Sequence, residues 1–403
     1  MMRIFHTEKF IQQYITRRNE SLFARDIRDN YHKLSERIKG KSALIIGGAG
    51  TIGSSFIKAI LRFQPAKLIV IDINENGLTE LVRDVRSTPD TIVPEIFLTY
   101  PIDFSSDIFK KIFRHEGPFD IIANFAAHKH VRSEKDQYSI EAMIENNVIR
   151  AKALLDLLFT APPKHFFCVS TDKAANPVNV MGASKKLMED VIMAYASQIN
   201  ISTARFANVA FSNGSLLFGF MERLQKQQPL SAPSDIRRYF VSPRESGELC
   251  MLACILGEPG DIFFPKLNEE EMISFADIAV DLLKAHGFEA DRCTTEQEAR
   301  EKAAAIPGIQ YPVYFFESDT SGEKSFEEFF TTQEVLDYTS FSAIGVVKNA
   351  ERKNLQAIGN VINSIEQLFR QEHLQKQDII GTLKTVIPGF NHIETGKNLD
   401  QRM

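Results

Sequence analysis

The run Gly47-Gly48-Ala49-Gly50-Thr51-Ile52-Gly53 lies between an apolar segment at 43–46 and a helical pattern at 51–61. A second apolar segment at 67–71 ends on Asp72, which falls about 20 residues beyond the loop. Strand, glycine loop, helix and strand in that order commit the chain to an α/β architecture. Gly47, Gly50 and Gly53 allow a tight turn, close approach of phosphate groups to the backbone, and close helix–strand packing. The helix beginning at Thr51 and Ile52 then offers unpaired N–H groups and its positive dipole end. A dinucleotide fits this arrangement. Asp72 is placed to accept from ribose hydroxyls, and its charge repels a 2′-phosphate, so NAD is expected over NADP.

The same alternation continues, with strands expected at 92–99, 120–123 and 165–169 and helices at 140–159 and 184–197. Continuous apolar strands separated by helices predict a doubly wound parallel Rossmann sheet, covered on both faces. Residues 41–212 form this domain. From 213 to 345, segments with Pro and Gly turns predict a smaller substrate-binding lobe, with part of 240–265 returning to the Rossmann domain. Residues 1–40 read as a helical N-terminal extension and 346–403 as a C-terminal tail, helical at first and then irregular.

Composition excludes some functions. A hydrophobic content of 44% with 25% charged residues suits a soluble globular chain, and a net charge of −5 argues against nucleic acid as a partner. No run reaches the ~18 apolar residues of a membrane span, so a cytoplasmic protein is expected. The four cysteines, Cys168, Cys250, Cys254 and Cys293, lack metal-site spacing and read as buried free thiols. His128 and His130 have no third ligand at useful spacing, so no metal is expected.

Candidate ligand residues recur where the strands end. Asp103, after the third strand, is a candidate for the adenine edge, with a solvated loop carboxylate as the alternative. Ala126 lies after the fourth strand, where the chain crosses the nicotinamide side. The fifth strand delivers Ser170, Thr171, Asp172 and Lys173 to its carboxyl end, where such sheets bind ligands. A hydroxyl, an acid and a candidate base thus stand together, with Lys185 about one turn into the next helix.

The run Ser170-Thr171-Asp172-Lys173-Ala174, with Pro177 and Asn179-Val180-Met181-Gly182-Ala183-Ser184-Lys185, resembles the nucleotide-sugar 4,6-dehydratases of the extended short-chain dehydrogenase/reductase superfamily. It is most similar to the UDP-N-acetylglucosamine 4,6-dehydratases of polysaccharide biosynthesis. Further matches are Gly47 to Gly53, Ala126 to Val131 with Lys129, and Arg205-Phe206-Ala207-Asn208-Val209. Arg238-Tyr239-Phe240 followed by Glu245, and Gly322-Glu323-Lys324 with Glu327 and Glu328, complete a likeness over roughly 42–330.

The resemblance implies a reaction on a UDP-sugar with NAD tightly bound and recycled. Hydride leaves C4, a base takes the C5 proton, water leaves C6, and hydride returns to C6. It implies Lys173 as the C5 base, Asp172 as the acid for the C6 hydroxyl, Thr171 on the C4 oxygen and Lys185 on the nicotinamide ribose. Lys129, Asn208, Arg238 and Glu245 become substrate-binding candidates, with Arg238 on the diphosphate and Glu245 alternatively a helix cap. A base at Lys173 requires its pKa to be lowered, by burial or by a neighbouring cation. Met181 departs from the tyrosine that most of the superfamily places four before the lysine. Asp172 through a water, or Thr171 in a relay, is the expected substitute for that C4 base. A 4-epimerase and a silent NAD-binding scaffold are the competing functions. A homo-oligomer is expected.

Overall fold

The computed structural model describes residues 5–129, 134–306, 308–318 and 327–392. Its main sheet has nine strands: β1 Ser42–Ile46, β2 Lys67–Asp72, β3 Ile96–Pro101, β4 Ile121–Asn124, β5 His165–Val169, β6 Ile201–Ala204, β7 Asp261–Pro265, β8 Leu336–Asp337 and β9 Ile344–Val347. Their spatial order is β8-β9-β7-β6-β5-β4-β1-β2-β3. From β3 to β7 all neighbours are parallel, whereas β9 on β7 and β8 on β9 are antiparallel. The expected doubly wound parallel sheet is thus present, and the two antiparallel strands extend it at the edge where the chain re-enters the Rossmann domain after the lobe. The strand order reverses between β1 and β4, and this opens the ligand crevice of doubly wound folds.

Two sequence expectations for elements shift. The third strand begins at Ile96 and not at 92, because Pro94 has no N–H to give a ladder. The helix expected at 140–159 starts at Gln137 and carries a π-turn at Glu145–Ile149 before continuing to Thr160. That turn aims Asn147 inward, where its amide bonds both the N–H and the carbonyl of His128 and reaches the Ser184 hydroxyl.

Six helices matter below: α1 Thr51–Leu61, α2 Gln137–Ile144, α3 Val180–Ala194, α4 Pro243–Leu256, α5 Leu355–Phe369 and α6 Lys376–Val386. Helix α4 crosses α1 so closely that a Cβ on Gly247 would overlap the Ser55 backbone. All four cysteines are free and buried, and burial pushes the Cys250 and Cys254 thiols up.

The N-terminal extension is built into the body. Phe23, Ile27, Leu34 and Ile38 join the main core, while Phe10, Ile11 and Ile15 join the core of the lobe. Between them Arg18 grips Glu245 at 3.0 Å, Glu271 at 2.8 Å and the Phe240 carbonyl at 3.2 Å. The lobe carries a parallel three-stranded sheet in the order Glu289–Cys293, Gln310–Phe316, Leu230–Pro233. The tail holds a second helix where irregular chain was expected. Helix α5 packs on α3 and α6 on α2, burying Ile358, Ile362, Ile365, Ile379 and Leu383. Among the described residues no helix is long and apolar enough to cross a membrane.

Arg205, after β6, is buried and clasps Glu189 of α3 through bonds of 2.9 and 2.7 Å, with further bonds to Glu334 and the Phe329 carbonyl. Removing one partner leaves an uncompensated charge in the core. Arg205→Met is expected to lose about 3–5 kcal/mol in urea unfolding, and Arg205→Met with Glu189→Leu to recover much of that loss. Equal loss in the single and double variants would show that packing, not charge, is what Arg205 supplies.

Candidate active site

Two cavities lie at the carboxyl ends of the strands and meet at Phe125 and Ala127. The first, about 370 Å³, is lined by Gly47, Gly50, Asp72, Asp103 and Ala126, together with Ile46, Ile73 and Arg150. Gly47 has φ +74°, and a side chain there would overlap the backbone at Phe125 and Ala126. Gly50 is different. A Cβ on it would meet the protein only at 3.5 Å from the Gly47 carbonyl, so the protein itself does not demand a glycine there. The open space belongs to whatever the cavity holds, at the N-terminus of α1. Asp72 is oriented by the Ala49 and Asn74 amides, each at 2.9 Å, and faces this cavity. The donor set therefore fits a dinucleotide: amides and dipole for phosphate, a fixed carboxylate for ribose.

Other cofactor candidates are employed differently. Thr51 lines neither cavity, and its hydroxyl accepts from the Asn213 amide at 3.0 Å. Gly53 packs under the Gly47 carbonyl, which a Cβ would overlap. Asp103 reaches the cavity already paired with Arg150 at 2.6 Å, and with Ser105 and Arg150 against burial its carboxyl sits below the usual range. Arg150 was absent from the sequence reading, because its partner is 47 positions away.

The second cavity, about 360 Å³, gathers Ile52, Lys129, Ser170, Thr171, Asp172, Lys173, Met181, Lys185 and Asn208. After β5 the chain makes a short 3₁₀ turn, Asp172–Ala174, and α3 then begins four residues earlier than the expected 184. Asn179 caps it by accepting from the Gly182 amide at 2.8 Å. A Cβ on Gly182 would come within 2.6 Å of the Lys173 carbonyl, so only glycine lets the helix start against the Asp172–Ala174 turn. Lys185 is then buried with Nζ on the Val169 carbonyl at 3.2 Å, and burial lowers its pKa.

The reactive groups form one network. The Thr171 hydroxyl donates to Asp172 Oδ1 at 2.6 Å, and Lys173 Nζ lies 3.2 and 3.1 Å from the two Asp172 oxygens. The expectation of a lowered Lys173 pKa is corrected. Burial does pull it down, but the Asp172 and Glu327 charges outweigh that and hold the ammonium form. Glu327, to which the sequence reading gave no role, sits behind the pair. It accepts from the Asn208 amide and from the Tyr239 N–H at 3.1 Å, with Arg238 Nε 3.8 Å away. Burial, and then the charge of Asp172, push its carboxyl up to about 7. The signal was available: Glu327 stands in the matched motif, although Gly322, Glu323 and Lys324 lie outside the described residues, as do His130 and Val131.

Two substrate candidates do not line the cavity. Arg238 is buried, donating to the Arg237 carbonyl beside Glu327. Glu245 is the third residue of the capping box of α4 and the partner of Arg18, which is the cap alternative stated for it. Its carboxylate is held by the Ser242 and Leu22 amides and the Arg18 guanidinium, away from any ligand.

The profile of a family described as polysaccharide biosynthesis protein matches residues 43–349. A probable polysaccharide biosynthesis protein EpsC of Bacillus subtilis is 29% identical over 78% of this chain, which spans about half (49%) of that relative's length. An inverting UDP-N-acetylglucosamine 4,6-dehydratase of Campylobacter jejuni is 27% identical over 59% of this chain and 70% of its own length. A UDP-glucose 4-epimerase of Rickettsia akari is 26% identical over 83% and 98% of the two chains. Among solved structures, Pen from Bacillus thuringiensis shares the fold with a TM-score of 0.62 at 21% identity, covering 82% of this chain and 98% of its own.

Glu327 sets a pH dependence that needs no substrate to observe. Its folded value lies above the ordinary 4.5, so the folded state binds more protons than the unfolded one between about pH 4.5 and 7. Its contribution to stability therefore falls as pH rises through that window. Relative to wild type, Glu327→Gln is expected to gain stability in urea titrations from pH 5 to 7.5; a constant difference across that range would contradict the assignment.

Proposed function

We propose, for a chain that belongs to the polysaccharide biosynthesis protein family, that the two cavities carry out the 4,6-dehydration of a UDP-N-acetylhexosamine, UDP-N-acetylglucosamine being the leading substrate. The observation that carries the reading is the Asp172–Lys173 pair, 3.1 Å apart, facing the second cavity beside a dinucleotide-shaped first one. A 4-epimerase removes and returns hydride at C4 and has no work for an acid and a base at C5 and C6.

When bound, NAD⁺ supplies the oxidation at C4 and the hydride returned to C6. The chain's own groups move the protons. Thr171 accepts the C4 hydroxyl proton while its own proton passes to Asp172 along the 2.6 Å contact, and Asp172 becomes a carboxylic acid. With that charge gone, the main support of the Lys173 ammonium is lost, Glu327 acting on it only through its charge, and the ammonium gives a proton to water in the cavity. The free amine takes the C5 proton, which the C4 ketone has acidified. Asp172 then gives its proton to the C6 hydroxyl, which leaves as water. Lys173 returns a proton to C5 and takes one back from water, so Thr171, Asp172 and Lys173 end as they began. Lys185, buried on the Val169 carbonyl, is the residue that would hold the nicotinamide ribose, and its charge would lower the cost of negative charge at C4.

In D₂O, UDP-N-acetylglucosamine is expected to give a 6-deoxy-4-keto product with deuterium at C5, followed by NMR. A C4 epimer with C5 unlabelled would establish the epimerase instead. Conversion of neither UDP-N-acetylglucosamine nor a panel of UDP-sugars, with NAD bound, would favour a silent scaffold. Asp172→Asn is expected to slow reduction of bound NAD⁺ about 10²–10⁴-fold, and a full rate would remove Asp172 from the C4 step.

A further inference from the structure

The tail lies beyond the residues that match the family, yet it ends against the catalytic helix. Lys353 pairs with Asp190 of α3 at 2.6 Å, and α5 and α6 then lay their apolar faces on α3 and α2. Beyond α6, Ile387 and Phe390 enter the main core and seat His392, whose side chain is only 2% exposed. His392 Nε2 is fully buried, with no hydrogen-bond partner among the described residues. It stands 3.5 Å from Glu134 Oε2, a carboxylate that is itself 92% buried in its side chain, the exposed part being 8%. The other oxygen of Glu134 accepts from the Met181 amide at 3.0 Å.

That amide needs a partner. Met181 is the second residue of α3, and the first-turn amides of a helix have no partner within it. Asn179 takes the third, Gly182, so Glu134 takes the second, as an anion where the helix dipole favours one. Met181 also lines the second cavity, in the position where most of the superfamily carries its tyrosine. A buried imidazole with an idle nitrogen is unfavourable unless its neighbour gives it a function. Here the neighbour is the carboxylate that fixes the first turn of α3.

We propose that His392 is a positioning residue, through which the C-terminal tail holds Glu134 against the Met181 amide and fixes the start of α3 for the reaction. The proposal rests on the second cavity being the reacting one. It predicts that loss of the imidazole loosens the first turn of α3 without weakening sugar binding.

Three variants test it in the full chain: His392→Phe, His392→Gln, which keeps a donor near the Nε2 position, and Glu134→Leu. His392→Phe is expected to lower kcat about tenfold while KM stays within about twofold, and His392→Gln to restore most of the loss. Hydrogen exchange at the Met181 amide is expected to quicken in His392→Phe and in Glu134→Leu. The double variant His392→Phe/Glu134→Leu is expected to be no worse than Glu134→Leu alone, since the two act as a unit. Wild-type exchange at Met181 in His392→Phe, or losses that multiply in the double variant, would overturn the proposal. If the wild-type protein converts no UDP-sugar, the dehydratase reading fails by itself, and the exchange comparison still decides the clamp.

Discussion

The buried pair between Arg205 and Glu189, each side chain 1% exposed, anchors the catalytic face of the fold. It joins the end of β6 to the middle of α3, and Arg205 also binds the 329–334 segment through the Phe329 carbonyl and Glu334. Glu189 in turn accepts from the Ser170 hydroxyl at 2.6 Å, directly before Thr171. One ion pair thus fixes the strand end that carries the reactive turn, the helix that carries Lys185 and the segment just after Glu327. A buried pair is a poor source of net stability, because desolvation offsets its attraction. Its value here is geometric: a guanidinium fork saturated by two carboxylates and a carbonyl admits one arrangement of the three segments.

Around this anchor the charges of Asp172, Lys173, Glu327 and Arg238 constrain one another. With Glu327 ionised the four sum to zero, which a desolvated cavity tolerates better than an excess of either sign. Protonation of Glu327 leaves a net positive site. The same shared field explains why the lysine expected to give up its proton readily holds it at rest. Burial alone would have freed it, and two carboxylates reverse the outcome. Neutralising Asp172 would remove the larger of the two charges that hold the ammonium.

Legibility in the sequence followed the range of each interaction. Gly47, Gly50 and Asp72 were readable because turn, helix start and strand end are local, and their spacing is set by backbone geometry. Thr171, Asp172, Lys173 and Lys185 were readable for the same reason, lying within sixteen residues of β5. Of the two roles expected for Glu245 the helix cap was legible because it is local, while its other partner, Arg18, is 227 residues distant and gave no signal. Arg238 stood in the same matched motif but turns toward Glu327 and not toward the cavity. Glu134 and His392 gave no signal, being joined only when α6 has packed on α2. Pro94, Asn179 and the π-turn at Glu145–Ile149 moved element boundaries through capping and hydrogen-bond supply, which apolar periodicity does not record.

Met181 becomes intelligible in this frame. A phenolate at that position would be a second anion beside Asp172, competing for the Lys185 and Lys173 charges and raising the energy of the Asp172 carboxylate. A thioether adds no charge and fills the wall of the cavity with a polarizable apolar group. The hydroxyl, carboxylate and ammonium on that wall are already joined without a phenol, Thr171 donating to Asp172 at 2.6 Å and Lys173 to Asp172 at 3.1 Å. In the proposed dehydration the C4 proton reaches the group that next needs it at C6, and a tyrosine would divert it. The methionine therefore fits the proposed elimination better than a simple oxidation and return, because only the elimination needs the Asp172 proton at C6.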